Sequence, residues 1–300
     1  MLVPRDHLEY AEAAIHGHRL VPYEPGQPFT GDAAGAEVLI PPFLSDADLV
    51  DRAVELPKLR LVQLLTVGAE AWLGRLPDGV ALSTARGAHS AATAEWVLAV
   101  LLAGYRELPS FVVDAPHGRW RQRATDGLFG KRVLVVGAGD VGSRVAIRLR
   151  ACDAGVTMVG RRGGDGVHPV SELPSLLPEH DAVVLIVPLT EETRGMVDAA
   201  FLAAMPDGAV LVNAARGPVV HTDALLAELA SGRLRAALDV TDPEPLPPEH
   251  PLWTVQNVII TPHVAGSVFG LYHRAYRVAA AQIAAVADGR QPDNLVRNGY

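Results

Sequence analysis

Short apolar runs rich in valine, leucine and isoleucine alternate along this chain with longer amphipathic or small-residue stretches. The short runs fit strands buried on both faces, and the longer stretches fit helices. Their alternation predicts parallel sheets covered by helices on both sides. In the first third, 37–40 and 59–65 read as strands, and Ser45-Asp-Ala-Asp48 reads as a helix start with Ser45 as N-cap. A long apolar helix is expected over 91–108, followed by a connecting arm over 109–130. The middle of the chain holds six strand candidates, at 132–136, 156–159, 182–187, 209–213, 236–240 and 257–261. Thr222-Asp223 is expected to cap a helix that ends near Gly232, and 267–288 reads as a helix closed by Gly289. The proline-rich stretch 243–251 is stiff and local, so it reads as a loop.

Composition narrows the class. The chain has 300 residues, 49% of them hydrophobic and 20% charged, which suits a two-domain enzyme better than one small core. A net charge of −8 argues against nucleic acid or an anionic membrane as partner. No signal peptide and no apolar run of bilayer length stand out, so a cytoplasmic protein is expected. Cys152 stands alone and reads as a small buried hydrophobe in the helix expected after strand 132–136. No metal site is expected.

The most informative stretch is Arg132-Val-Leu-Val-Val136, which runs straight into Gly137-Ala-Gly139-Asp140-Val141-Gly142, with a helical pattern from Ser143. A dinucleotide site needs that order. The first glycine makes the tight turn, the second admits the pyrophosphate to the backbone, and the third lets helix pack on strand. The phosphates then sit at a helix N-terminus. The next strand, 156–159, ends in Gly160-Arg161-Arg162. An acid there would bond a free ribose 2′-hydroxyl. Two arginines instead favour a 2′-phosphate, so NADP(H) is expected over NAD(H). The competing reading is a pair of solvated arginines on a surface turn, and Asp165 lies just beyond.

Three charged residues follow strand ends: Arg216 after 210–215, Glu244 after 236–240 and His263 after 258–262. In open parallel sheets, ligands bind beyond those ends. Singly, each has a plainer reading: a solvated arginine, an exposed loop glutamate, a hydrogen-bonded structural histidine. Their joint placement at the rim that would hold a nicotinamide points to catalysis.

At this point the chain resembles the D-isomer-specific 2-hydroxyacid dehydrogenases over nearly its whole length. The matching stretches are 137–142, Val187-Pro188-Leu-Thr-Glu-Glu-Thr193, Val212-Asn-Ala-Ala214-Ala-Arg216-Gly217, Ala237-Leu-Asp239-Val-Thr-Asp-Pro-Glu244-Pro245 and Thr261-Pro-His263-Val-Ala-Gly-Ser267. The resemblance implies that Arg216 binds the substrate, that Glu244 partners the histidine and that His263 is the acid/base. Asp239 then faces the nicotinamide carboxamide, and the backbone of Val67-Gly68 holds the substrate carboxylate. Gly137, Gly139, Asp140, Val141, Gly142, Arg161, Arg162, Val187, Pro188, Thr193, Ala214, Arg216, Asp239 and His263 would line the cofactor.

The resemblance also implies an α/β fold of two Rossmann-like or flavodoxin-like, doubly wound parallel-sheet domains with an interdomain cleft. Residues 1–96 plus 269–300 would form a discontinuous substrate domain, and 97–268 the dinucleotide-binding domain. The arginine pair resembles the NADP-dependent glyoxylate and hydroxypyruvate reductases. The stretch Val67-Gly-Ala-Glu70 lacks the lysine of phosphite dehydrogenases, and Glu244 stands where formate dehydrogenases have glutamine. The expected activity is reduction of a small 2-keto acid to the D-2-hydroxy acid by a homodimer. The alternative is a dinucleotide-sensing protein of the same fold with little turnover, against which the complete Arg216, Glu244, His263 set argues.

Overall fold

Residues 1–43 and 47–297 are described in this computed structural model. The chain divides into two compact units, Met1–His89 with Phe269–Tyr300, and Ser90–Val268. Among the described residues no single helix is long and apolar enough to cross a membrane.

The first unit is built on β1 (Leu2–Pro4), β2 (Val21–Tyr23), β3 (Val38–Leu39), β4 (Leu61–Gln63) and β5 (Ala81–Ser83), all parallel in the order β2-β1-β3-β4-β5. Neighbouring residues on one strand serve opposite faces. Leu2 joins a cluster with Leu39 and Val62, whereas Val3 joins Ile40, Leu61 and Tyr276. Helices α1 (Leu8–Ala14) and α2 (Ala47–Ala53) belong to this unit. Ser45, expected to cap the second, lies outside the described residues.

The second unit opens with α3 (Ser90–Tyr105) and α4 (Leu108–Asp114). The single helix expected to reach residue 108 stops earlier. Glu107 takes a left-handed φ of 52°, and α4 starts beyond it within the supposed arm. Pro109 lies in the first turn of α4, where proline begins a helix rather than breaking one.

The large sheet comprises β6 (Arg132–Val136), β7 (Gly155–Gly160), β8 (Val167–Pro169), β9 (Ala182–Leu185), β10 (Val210–Asn213), β11 (Arg235–Leu238) and β12 (Val258–Ile260). All are parallel in the order β12-β11-β10-β9-β6-β7-β8. Val133 and Val135 pack on one face of β6, Leu134 and Val136 on the other, all buried. Burying each such side chain stabilises the fold by roughly 1.5–3 kcal/mol. That is why the strand reads as an unbroken apolar run. β8 was not among the six expected strands. It has three half-buried residues and ends in Pro169, which an edge strand tolerates.

Around the sheet lie α5 (Asp140–Arg150), α6 (Leu173–Leu176), α7 (Ala199–Ala204) and α8 (Thr222–Ala230). The helix expected from Ser143 begins three residues earlier, at Asp140. Cys152 is half-buried in the turn after α5, not within it. His221, not Thr222 or Asp223, is the N-cap of α8, with no side-chain capping bond. The Thr222 hydroxyl donates instead to the Asp242 carbonyl at 2.7 Å. The chain re-enters the first unit through α9 (Leu271–Ala287), which starts at Leu271 rather than 267 because Gly270 turns there with φ 78°. Gly289 follows its end at φ 71°, as expected of a closing glycine.

Candidate active site

In the large sheet the strand order reverses between β6 and β9, and connections leave β6 toward β7 and β9 toward β10. Such a switch point opens a crevice at the carboxyl ends of the two strands. The glycine turn after β6 lies there. Gly137 has φ 123°, and a Cβ on it would sit 2.3 Å from the Ile186 carbonyl oxygen after β9. A Cβ on Gly142 would sit 1.8 Å from the Gly137 carbonyl oxygen. These two glycines are closed in by backbone. Gly139 differs: nothing lies within 4 Å of its Cβ position. It is the N-cap of α5 and has no side-chain capping bond. The first N–H groups of a helix have no intrahelical acceptor, so open space meets free donors. That cradle fits a dinucleotide pyrophosphate. Asp140 and Val141 are the first residues of the helix.

The loop after β9 is braced by two threonines. The Thr193 hydroxyl donates to the Pro188 carbonyl at 2.6 Å and accepts from the Thr190 N–H at 2.8 Å. Val187 packs on the core beneath, and the Ala214 N–H reaches the Leu185 carbonyl at 3.2 Å. At the end of β7, Arg161 and Arg162 are exposed. Gly160 is tighter than a simple gap: a Cβ there would lie 3.1 Å from Val167 Cγ1 and 3.3 Å from the Arg162 carbonyl oxygen.

Arg216, Glu244 and His263 all follow carboxyl ends of strands in this unit, β10, β11 and β12 respectively. The His263 Nδ1 lies 2.6 Å from Glu244 Oε1. An ionised carboxylate only accepts, so Nδ1 carries the hydrogen and Nε2 is left for chemistry. The bond from His263 holds the Glu244 carboxyl below its ordinary value, against partial burial, and the Arg216 charge acts in the same direction. The three residues are therefore one electrostatic group. Arg216 is half-buried, and its guanidinium donates to the Ala215 carbonyl at 2.7 Å. Val67 and Gly68 belong to the other unit, in a half-buried loop after β4 where the Thr66 hydroxyl donates to the Gly68 carbonyl at 2.9 Å.

His263 has a left-handed φ of 53°. A bulky residue held there stores local strain, so neighbouring bonds must enforce it. Asp239 supplies them. The residue is 4% exposed, and its carboxylate accepts from the Thr261 hydroxyl at 2.6 Å and from the N–H groups of Val264 and Ala265 at 2.9 Å each. Its carbonyl accepts from the His263 N–H at 2.7 Å.

Two further residues shape the site without having stood out in the sequence. Asn213 is buried, donates to the Arg216 carbonyl at 3.1 Å and accepts from the Ala215 N–H at 3.0 Å, so it folds the turn that presents Arg216. Gly217 lets that turn touch the segment leading to Glu244, since a Cβ on it would lie 1.8 Å from the Thr241 carbonyl oxygen. The only sequence signal for either was their place beside Arg216.

The model of the D-isomer specific 2-hydroxyacid dehydrogenase, NAD binding domain, matches residues 98–265. A glyoxylate reductase from Aeropyrum pernix is 34% identical over 274 residues, covering 84% of this chain and 79% of that enzyme. A D-isomer specific 2-hydroxyacid dehydrogenase from Xanthobacter autotrophicus Py2, solved in complex with NADPH and MES, superimposes with a TM-score of 0.86 at 32% identity, covering 99% of this chain and 97% of that one. An NADPH-dependent glyoxylate/hydroxypyruvate reductase from Sinorhizobium meliloti, solved with NADP and sulfate, gives 0.84 at 29% identity, covering 100% of this chain and 98% of that one. With the family model matched over more than half its length, this chain belongs to the D-isomer-specific 2-hydroxyacid dehydrogenases, a family of oxidoreductases.

Proposed function

We propose that this chain reduces a small 2-keto acid of the glyoxylate or hydroxypyruvate kind to the D-2-hydroxy acid, with NADPH as preferred reductant. The observation that carries the reading is the 2.6 Å pair of His263 and Glu244, within the electrostatic reach of Arg216 and at the carboxyl ends of neighbouring strands. The glyoxylate reductase names among the relatives support the substrate class.

The bound dinucleotide would supply a hydride to the carbonyl carbon. His263 gives the proton from Nε2 to the carbonyl oxygen and recovers one from solvent, completing the alcohol. Glu244 keeps the ring oriented through the bond to Nδ1. The Arg216 fork grips the substrate carboxylate and polarises the carbonyl.

The backbone of Gly137, Gly139, Asp140, Val141 and Gly142 would seat the pyrophosphate, with Val187, Pro188, Thr193 and Ala214 lining the path to the nicotinamide. Three of the four acceptor sites of the Asp239 carboxylate are taken, which leaves one on Oδ2 for a carboxamide N–H. Arg161 and Arg162 would hold a 2′-phosphate, and the NADPH and NADP in two solved relatives support that preference. The first unit serves as substrate domain in this reading. A homodimer is proposed on the apolar side chains exposed along the segment after α3, Val112, Val113, Trp120 and Phe129. The proposed compartment is the cytoplasm.

The test is a panel of NADPH oxidation rates with glyoxylate, hydroxypyruvate, pyruvate and bulkier 2-keto acids, beside aldehydes that lack a carboxylate. The short keto acids should lead. Equal rates with the aldehydes would contradict the part assigned to Arg216.

A further inference from the structure

The middle of the glycine turn carries a charge that works against its ligand. Asp140 is the first residue of α5, directly after the open Gly139. Its Oδ1 accepts from Arg144 Nε, one turn along, at 3.0 Å. Its Oδ2 is buried and has no hydrogen-bond partner. The side chains of Asp140 and Arg144 are 34% and 42% exposed, so the pair is not sealed within the core beside Gly139.

The helix N-terminus explains why a carboxylate with one orphaned oxygen is stable there. Free N–H groups and the helix dipole attract any anion, including a side chain at the first position. The same field is what attracts a pyrophosphate. When the pyrophosphate arrives, the seat must hold its two negative charges and the Asp140 charge together. Arg144 neutralises only part of the carboxylate, because it engages one oxygen.

We propose that Asp140 weakens dinucleotide binding: its carboxylate occupies the anion field of α5 in the free protein and repels the pyrophosphate in the complex, with Arg144 moderating the repulsion. This rests on the reading of the glycine turn as the dinucleotide seat. The repulsion concerns the pyrophosphate, which NADPH and NADH share. Asp140 therefore sets overall affinity and leaves the choice between the two cofactors to the end of β7.

The experiment is a set of dissociation constants with no turnover, read from the fluorescence of bound NADPH and NADH on the wild-type protein, Asp140→Asn, Asp140→Ser and Arg144→Gln. Adenosine 2′-monophosphate, measured by competition with NADPH, has the 2′-phosphate but no pyrophosphate. Both Asp140 variants should bind NADPH and NADH more tightly by the same factor, roughly five- to tenfold at low salt, the size of one partly screened charge–charge term. That factor should shrink as salt is raised, and adenosine 2′-monophosphate should bind as before. Arg144→Gln should weaken both dinucleotides. The free Asp140 variants should melt slightly lower than wild type, because a favourable charge at the helix start is gone. Damage to the fold would loosen binding, so tightening is a signature that damage cannot imitate. Unchanged or weaker NADPH binding in both Asp140 variants would overturn the proposal while leaving the seat intact. A wild-type protein that binds neither dinucleotide would overturn the seat itself.

Discussion

His263 and Glu244, nineteen residues apart in sequence, meet at 2.6 Å between Nδ1 and Oε1. His263 takes a left-handed φ of 53° there, and the Asp239 carboxylate and carbonyl brace that turn from the end of β11. His263, Glu244 and the Asp239 clamp thus come from two adjacent strand ends.

The pair has a consequence for pH. Hydrogen bonding from His263 holds the Glu244 carboxyl below its ordinary 4.5. A group with a lowered folded value contributes stability above its unfolded value and loses it as pH falls through the folded one. The Glu244 contribution therefore disappears only below about pH 4.5, leaving the pair intact near neutrality. Glu244→Gln leaves a neutral amide in place of the carboxylate that accepts from His263 Nδ1. Turnover should fall while the NADPH dissociation constant holds. Unchanged turnover would contradict the pairing as a functional one.

Cofactor choice should depend on the two exposed arginines. Replacing Arg161 and Arg162 together with serine should lower kcat/KM for NADPH relative to NADH by about tenfold to a hundredfold, the size of one or two screened charge-assisted bonds. Gly160→Asp is a poorer tool, because its Cβ would press on Val167 and the Arg162 carbonyl. An unchanged cofactor ratio in the double-serine variant would make the arginines ordinary surface charge.

Gly217→Ala should damage catalysis without touching any reacting group. The new methyl would overlap the Thr241 carbonyl oxygen, so the Arg216 turn and the segment leading to Glu244 must part. Overpacking of this kind costs about 1–3 kcal/mol, and a displacement of about 1 Å at a catalytic group can cost on the order of a hundredfold in rate. The measurement is kcat beside the NADPH dissociation constant. A large fall in the first with little change in the second is expected.

Stability should fall as the solution turns mildly acidic. His7, His89 and His180 are 3%, 7% and 1% exposed, and burial is the main cause that holds each below the ordinary histidine value of 6.5. The unfolded chain then binds protons that the native state refuses. Stability is retained above 6.5 and is lost as pH drops through the folded values. Urea midpoints should decrease from about pH 7.5 to about pH 5. A flat series would contradict the burial of these rings in neutral form.

Local features were legible in the sequence because their physics is local. The apolar run of β6 and the three glycines after it declare strand, turn and helix within eleven residues, 132–142. Arg216, Glu244 and His263 stood out because each follows a strand end, and the structure brings His263 and Glu244 into contact. Features that depend on a partner far along the chain were hidden. Gly217 acquires its role only when the Arg216 turn closes on Thr241. The Asp239 clamp needs β12 beside β11. Thr222 was drawn from its expected cap by the Asp242 carbonyl. β8 escaped notice because three half-buried edge residues ending in proline show no period. The stretch 109–130 read as a connecting arm, yet α4 occupies its start with Pro109 in the first turn.

The proposed reduction depends most on His263 as proton donor to a 2-keto acid. The direct measurement is steady-state NADPH oxidation with glyoxylate and hydroxypyruvate by wild type and His263→Ala, beside NADPH binding to each. The variant should lose roughly a hundredfold or more in turnover, the usual scale for a general acid. It should bind NADPH nearly as wild type does, since the histidine addresses the substrate and not the phosphates. Near-normal turnover by His263→Ala would contradict the account.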